Sequence, residues 1–370
     1  MCVCAQGAEG SVEGKLRLNN ALGYAEQLEA VATAGSASSR TVSVSLVQRQ
    51  LAGRPARAEG RLGQTLRSLQ HYSSCSERLR SLGASLQEGP HRAEFELAWR
   101  QLSDAERTAS PAVRALLGHS LKSALRYSHT RDHRDSASQP STGWAARGTL
   151  ELAGLAPTSV RFLRADCEAQ KALPLPLPLL PGAALALSLR LGVLLPLAGG
   201  GGGRGAPGGG GTPACGPAIT HLSDRFFLGG ADSADALRGF RTKGVGPSDA
   251  RRPRCADDVA AAGAAAASPA RDALGGDLLC AATAAVTFPL PHEALRAAGV
   301  HGHVFVNAGT LLPLAAASEL TSSLRAAAGA GVVLPTRLGR LEVNYCLLLR
   351  TMQHDRAKAG IQVGLRPDPL

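Results

Sequence analysis

Arg340-Leu341-Glu342-Val343-Asn344-Tyr345-Cys346-Leu347-Leu348-Leu349 sets Leu341, Val343, Tyr345, Leu347 and Leu349 on one side of an extended chain and Glu342, Asn344 and Cys346 on the other. Successive side chains of a strand point to opposite faces, so this alternation predicts a sheet with one apolar and one polar face. The pattern recurs along the chain. Phe95, Leu97 and Trp99 alternate with Glu94, Glu96 and Arg100, and Leu121, Leu125 and Tyr127 oppose Lys122 and Arg126. Trp144, Leu150 and Leu152 separate from Arg147, Thr149 and Glu151; Leu163, Ala165, Cys167 and Ala169 separate from Arg164, Asp166, Glu168 and Gln170.

Two architectures fit such a sheet. A soluble sandwich buries the apolar face, whereas a transmembrane barrel turns it to lipid around a polar lumen. Transmembrane strands need about 9–11 residues and soluble strands run about 5–6; residues 161–172 and 338–349 reach the longer range. The polar faces also carry full charges of both signs in mid-strand, which a dry core would not accept. An all-β, antiparallel transmembrane barrel is therefore the expected fold. The apolar stretch 172–189 is long enough to suggest a membrane helix, but Pro174, Pro176, Pro178 and Pro181 each remove a backbone donor and rule that out. The Gly-rich run 199–211 and the Ala-rich run 258–270, bounded by Pro253 and Pro269, lack a periodic pattern and read as low-complexity loop insertions.

Forty Lys and Arg against twenty-nine Asp and Glu give a net charge of +11. That balance suits an anionic membrane surface or acidic polypeptides, while the 4% aromatic content, without basic runs interleaved with stacking rings, argues against nucleic acid. The eight cysteines lack C-x-x-C spacing and read as separate reduced thiols, with a reducing compartment on at least one side. The N-terminus has no basic region followed by an apolar core, so no signal peptide is expected. The Gly-rich run is followed by no Lys-Ser or Lys-Thr pair, as a phosphate loop requires. Gly118-His119-Ser120-Leu121-Lys122 lacks the final small residue of a nucleophile elbow. His129 and His133 beside Asp132, and His301 with His303, offer two imidazoles without a third ligand; Cys2 and Cys4 lie on an expected frayed terminus. No metal, cofactor or catalytic residue is expected.

Residues 221–247 read HLSDRFFLGGADSADALRGFRTKGVGP. Asp224-Arg225-Phe226, Leu228-Gly229-Gly230, Arg238-Gly239-Phe240 and Val245-Gly246-Pro247 stand in the order of a D-R-F-x-L-G-G strand end followed by an R-G-F loop and I/V-G-P. In this the chain resembles the central barrel subunit of the mitochondrial sorting and assembly machinery, a relative of the bacterial barrel-assembly protein. Other stretches carry the resemblance nearly end to end: Arg107-Thr108-Ala109-Ser110 with Gly118-His119-Ser120-Leu121-Lys122-Ser123, Phe305-x-Asn307-Ala308-Gly309, and Leu341-Glu342-Val343-Asn344-Tyr345-Cys346. Asn20-Ala21-Leu22-Gly23-Tyr24-Ala25-Glu26 resembles the start of the barrel. Lys358, Gly360, Val363 and Leu365 fit the sorting signal of mitochondrial outer-membrane barrels, with Ile361, Val363 and Leu365 toward lipid and Gly360 allowing close backbone approach.

The resemblance implies sixteen strands, closed by a weak seam between the first strand, roughly 13–22, and the last, 359–366. It implies an R-G-F loop folded into the lumen. There Arg238 would meet the wall strand at Phe305, Asn307 and Gly309, and because Asn307 is neutral it would also need a Glu or Asp elsewhere. By this reading residues 1–10 are a disordered N-terminus and 11–366 the barrel. Insertions lie at about 199–217 and 250–273, with no soluble N-terminal substrate-handling domain. The implied function is insertion of β-barrel precursors into the mitochondrial outer membrane by strand templating at the seam. Precursors, accessory subunits of the assembly complex and membrane lipids are the implied partners. A pore for polypeptides or solutes, or a purely structural barrel, are the alternatives.

Overall fold

The computed structural model describes residues 2–366 apart from 7–8, 21–22, 36–38, 52, 138, 157–159, 177, 179–181, 198–219, 232–236, 253–270 and 337–338. Its strands are β1 (Cys2–Gln6), β2 (Glu9–Asn19), β3 (Glu26–Gly35), β4 (Arg40–Gln48), β5 (Ala56–Ser68), β6 (Ser76–Glu88), β7 (His91–Ser103), β8 (Gly118–Asp132) and β9 (Gly143–Ala153). There follow β10 (Phe162–Pro174), β11 (Ala184–Pro196), β12 (Ser248–Ala250), β13 (Arg271–Ala273), β14 (Leu278–Pro289), β15 (His301–Leu312), β16 (Arg325–Thr336), β17 (Gly339–Arg350) and β18 (Gly360–Arg366). Sixteen of these form one sheet in chain order, each antiparallel to the next; β12 and β13 pair separately as a short ribbon. No described helix is long and apolar enough to cross a membrane.

The register carries the alternation of the sequence across the whole sheet. Leu125 faces Leu152, Leu152 faces Leu163, and Leu163 faces Leu195, so neighbouring strands point their apolar residues the same way. That face lies bare: Leu62, Leu150, Leu189, Val306, Tyr345 and Ile361 are all exposed. A folded chain in water would not leave so wide an apolar face uncovered, whereas lipid solvates it. The buried cluster lies on the opposite face, where Phe162, Leu194, Leu279 and Leu311 meet Phe226, Leu228, Leu237 and Phe240 of the β11–β14 connection. This connection touches strands from β6 to β18, so the sheet curls around it. β1 and β18 come within 8 Å of one another at Cα, and the strand order contains no hydrogen-bonded pairing between them.

The connections hold short helices: α1 (Gln70–Ser73), α2 (Pro111–Ala115) and α3 (Glu293–Ala297). α2 starts where Ser110 accepts from the Val113 amide and Pro111 fills the first helical position, a residue order that suits a helix N-terminus.

Three expectations are corrected. Cys2–Gln6, expected to be frayed, is the edge strand β1, paired from Cys2 opposite Glu13 to Gln6 opposite Glu9. This pairing covers Glu9–Glu13 of β2, and lipid penalises unpaired amides severely. The strand beside β18 is therefore β1 and not residues 13–22. The insertion placed at 250–273 is ordered at both ends, where Ala250 pairs with Arg271; its centre, 253–270, and the run 199–211 lie outside the described residues. Of the prolines of 172–189, Pro174 ends β10 opposite Ala184, Pro176 and Pro178 follow it before β11, and Pro181 lies outside the described residues.

An apolar outer face predicts full membrane integration. The protein should stay in the membrane pellet after alkaline carbonate extraction and migrate faster on gels before heating than after. Release into the supernatant would remove the barrel reading.

Candidate functional site: the lumen loop and its wall contacts

The loop's stem is fixed by a buried charge. A short turn at Leu222–Asp224 turns the Asp224 carboxylate, 1% exposed, toward Arg100 of β7 at 2.8 Å and Lys122 of β8 at 2.9 Å. Lys122 also pairs with Glu151 of β9, which Arg126 meets at 3.1 Å. Burial alone would raise the Asp224 carboxyl, but Arg100 and Lys122 outweigh it and hold the group below its usual value. Ser223 donates to Glu77 of β6 at 2.5 Å. Arg164 of β10 lies 4.2 Å over the Phe226 ring and donates to the Asp224 carbonyl at 3.1 Å. Arg225 turns back into the loop, toward Thr220 and the Leu274 carbonyl. Leu228 and Gly230 bridge to Val245 and Leu237, and the Gly229 carbonyl accepts from Lys243.

The tip is fixed by a second buried pair. Nε and Nη2 of Arg238 donate to Oε2 of Glu342 on β17 at 3.0 and 2.8 Å. Its guanidinium lies 4.8 Å over the Phe305 ring, and Arg340 donates to the other Glu342 oxygen at 2.9 Å. The carboxylate that Arg238 was expected to need is therefore Glu342. Asn307 takes a different part, donating to the Arg238 carbonyl at 3.2 Å; Gly309 leaves space on β15 for Leu228 and Leu237. Gly239 has φ +92, and a Cβ there would stand 2.8 Å from Ala327 Cβ, so only glycine lets the loop lie against β16. Its amide donates to Gln362 of β18 at 3.0 Å, and Gln362 donates to the Phe240 carbonyl at 3.3 Å. The Lys358 amide closes the set on the Gly239 carbonyl at 2.8 Å.

The last strand requires one correction. Gly360 has φ +88, but a Cβ there would meet nothing within 4 Å, so its conformation and not close packing calls for glycine. Val363 and Leu365 share the outer face with Ile361, as their register with Val343, Leu341 and Tyr345 requires.

A third attachment was not legible. Asp272 of β13, fully buried, accepts from Ser74 Oγ at 2.6 Å, the Ser110 amide at 2.9 Å and Arg251 Nε at 2.7 Å. Asp249 of β12 accepts from the Ala112 amide of α2 at 3.0 Å. Lys243 lies between the rings of Tyr72 and Phe227, 3.8 and 4.7 Å from their centroids. Of the residues missed, Glu342 and Gln362 had a signal, being polar members of alternating strands; Asp272 follows the Ala-rich run and had none.

The loop thus ties β6–β10 to β15–β18 through two buried ion-paired groups. Arg238→Ala leaves Glu342 with Arg340 but without the loop's cation, and loss of one partner of a buried pair costs about 3–5 kcal/mol. It should expose the loop to protease and lower the temperature at which the folded gel band disappears. Gly239→Ala should act the same way by about 1–3 kcal/mol of backbone strain; unchanged protection in both would contradict the docking. The pH dependence follows from Asp224. A carboxyl held below its unfolded value contributes fully above that value and is lost as pH falls through the folded one. Loop protection should therefore be equal at pH 7 and 5 and decline only below about pH 4, and Asp224→Asn should remove that acid-dependent step.

The Omp85 superfamily domain matches residues 20–365. A SAM50-like protein of Schizosaccharomyces pombe is 30% identical over 96% of this chain and 68% of its own length. Sorting and assembly machinery component 50 homologs of Mus musculus and Homo sapiens are 31% and 30% identical over 74% of this chain, which spans 51% of theirs. The crystal structure of BamA from Haemophilus ducreyi lacking POTRA domains 1–3 aligns over 97% of this chain and 68% of that one, with a TM-score of 0.71 at 16% identity. At that identity the likeness concerns the fold. The chain belongs to the Omp85 superfamily, among the sorting and assembly machinery 50 barrels of the mitochondrial outer membrane.

Proposed function

We propose that the chain inserts β-barrel precursors into the mitochondrial outer membrane by offering the edges of β1 and β18 to the terminal strand of an incoming chain. The observation that carries this is the meeting of β1 and β18 without hydrogen-bonded pairing among the described residues, while every other pair of neighbouring strands in the sheet is hydrogen-bonded. An unpaired edge templates strand addition, and in lipid the unpaired amides drive it. β18 pairs with β17 over seven residues, and its Gln362 is held by the loop tip. The loop therefore sets the position of the edge, and Arg238–Glu342 is the lock one strand behind it. Precursor barrels are the substrates in this reading, accessory subunits the partners, and no covalent step is involved.

The test is depletion followed by complementation. Loss of the protein should lower assembly of other outer-membrane barrels several-fold; wild-type sequence should restore it and Arg238→Ala should not. Val363→Cys should form a disulfide with a cysteine in the terminal strand of an arrested precursor. Normal assembly after depletion, with no such crosslink, would leave a pore or a structural barrel instead.

A further inference from the structure

We infer that the outer wall across β9–β15 holds one anionic phospholipid, its phosphate at Trp144, Lys171 and Arg131 and an acyl chain in the groove leading from them. The groove has a volume of about 610 Å³ and is lined almost wholly by apolar atoms. Its shape follows from the register. Ala146 faces Ala169, Leu189 faces Ala282, and Ala282 faces Ala308, so one row of outward positions is low on four of five strands. The adjoining row, Trp144–Lys171–Leu187–Ala284–Val306, forms its taller side. Five strands spaced by roughly 4.8 Å give a trough of about 19 Å, the scale of a long acyl chain.

The charge at one end selects the occupant. Trp144 is the second residue of β9, Lys171 is the fourth from last in β10, and Arg131 stands next to last in β8. All three sit where these strands leave the membrane, the level at which aromatic and basic side chains meet headgroups. Lys171 and Arg131 face outward and form no hydrogen bond or ion pair among the described residues. The acid beside Arg131 in the chain, Asp132, does not neutralise them: it is held by Arg134. The His133 ring, 4.9 Å from that of Trp144, completes the rim. From this end the row passes to Val306, the sixth residue of β15, in mid-strand and so deep in the bilayer. A headgroup at the rim and a tail in the trough thus match the direction in which a lipid lies. Two unpaired cations favour a headgroup with net negative charge over one that carries its own ammonium.

Native mass spectrometry of the purified barrel, equilibrated with equal amounts of phosphatidylglycerol and phosphatidylcholine of the same chains, tests this. One phosphatidylglycerol should be retained in preference by on the order of tenfold, as two interfacial cations would give. Lys171→Gln with Arg131→Gln should abolish the preference, and Ala169→Phe with Ala282→Phe should abolish retention of both lipids. Arg78→Gln with Arg80→Gln, on the outer face at the opposite rim, should change neither. Each variant is scored only as the heat-shifted folded form. Equal retention of the two lipids by the wild type, or a preference that survives the Lys171 and Arg131 changes, would overturn the inference.

Discussion

In a bilayer a β-sheet has no water to satisfy its backbone, so every amide outside a pairing is a cost that must be met by another strand. Among the described residues the sheet of this protein is hydrogen-bonded at all fifteen junctions between neighbouring strands, and β1 and β18 meet without such pairing. Everything inside the barrel is arranged in relation to that place. The loop enters from the β11–β14 connection on the far side, is pinned at β7 and β8, and ends its reach at β17 and β18.

The pins are charged, which is unusual for a structural attachment and intelligible in a lumen. Both carboxylates are almost fully buried, and each is faced by two cations that offset the desolvation: Arg100 and Lys122 at Asp224, Arg238 and Arg340 at Glu342. Geometry does the rest: Arg238 presents two N–H groups to one oxygen of Glu342 while Arg340 occupies the other, so rotation of the carboxylate is blocked. A hydrophobic tip would hold the loop as well but at no defined position. The ion pair fixes it to one strand and one residue.

Much of this is legible in the sequence. Alternation locates β7 to β10 and β17 because a half-buried strand must alternate, and the mid-strand charges mark the inner face as polar. The D-R-F and R-G-F segments marked the loop. What failed depended on distances through space. Asn307 and Glu342 are both inward polar residues on neighbouring parts of the wall, and only the path of the loop decides that the carboxylate takes the guanidinium. Cys2–Gln6 carries too few residues to declare a strand and becomes one because β2 needs a partner. Gly360 was read as a packing glycine, since a sequence cannot distinguish absence of a side chain from need for a positive φ.

The loop's described attachments fall on the α1 connection after β5 and on strands from β6 to β18, while β1–β4 are held by their ladders. In a single continuous sheet this creates two levels of cooperativity. Amides of β7, β8, β15 and β17 can open only if the loop and its ion pairs come away with them. Those of β1–β4 can open one strand at a time from the edge. The barrel is therefore graded like a zipper with one sewn end: rigid where the last strand is held, and able to lend out its first strands without loss of the rest.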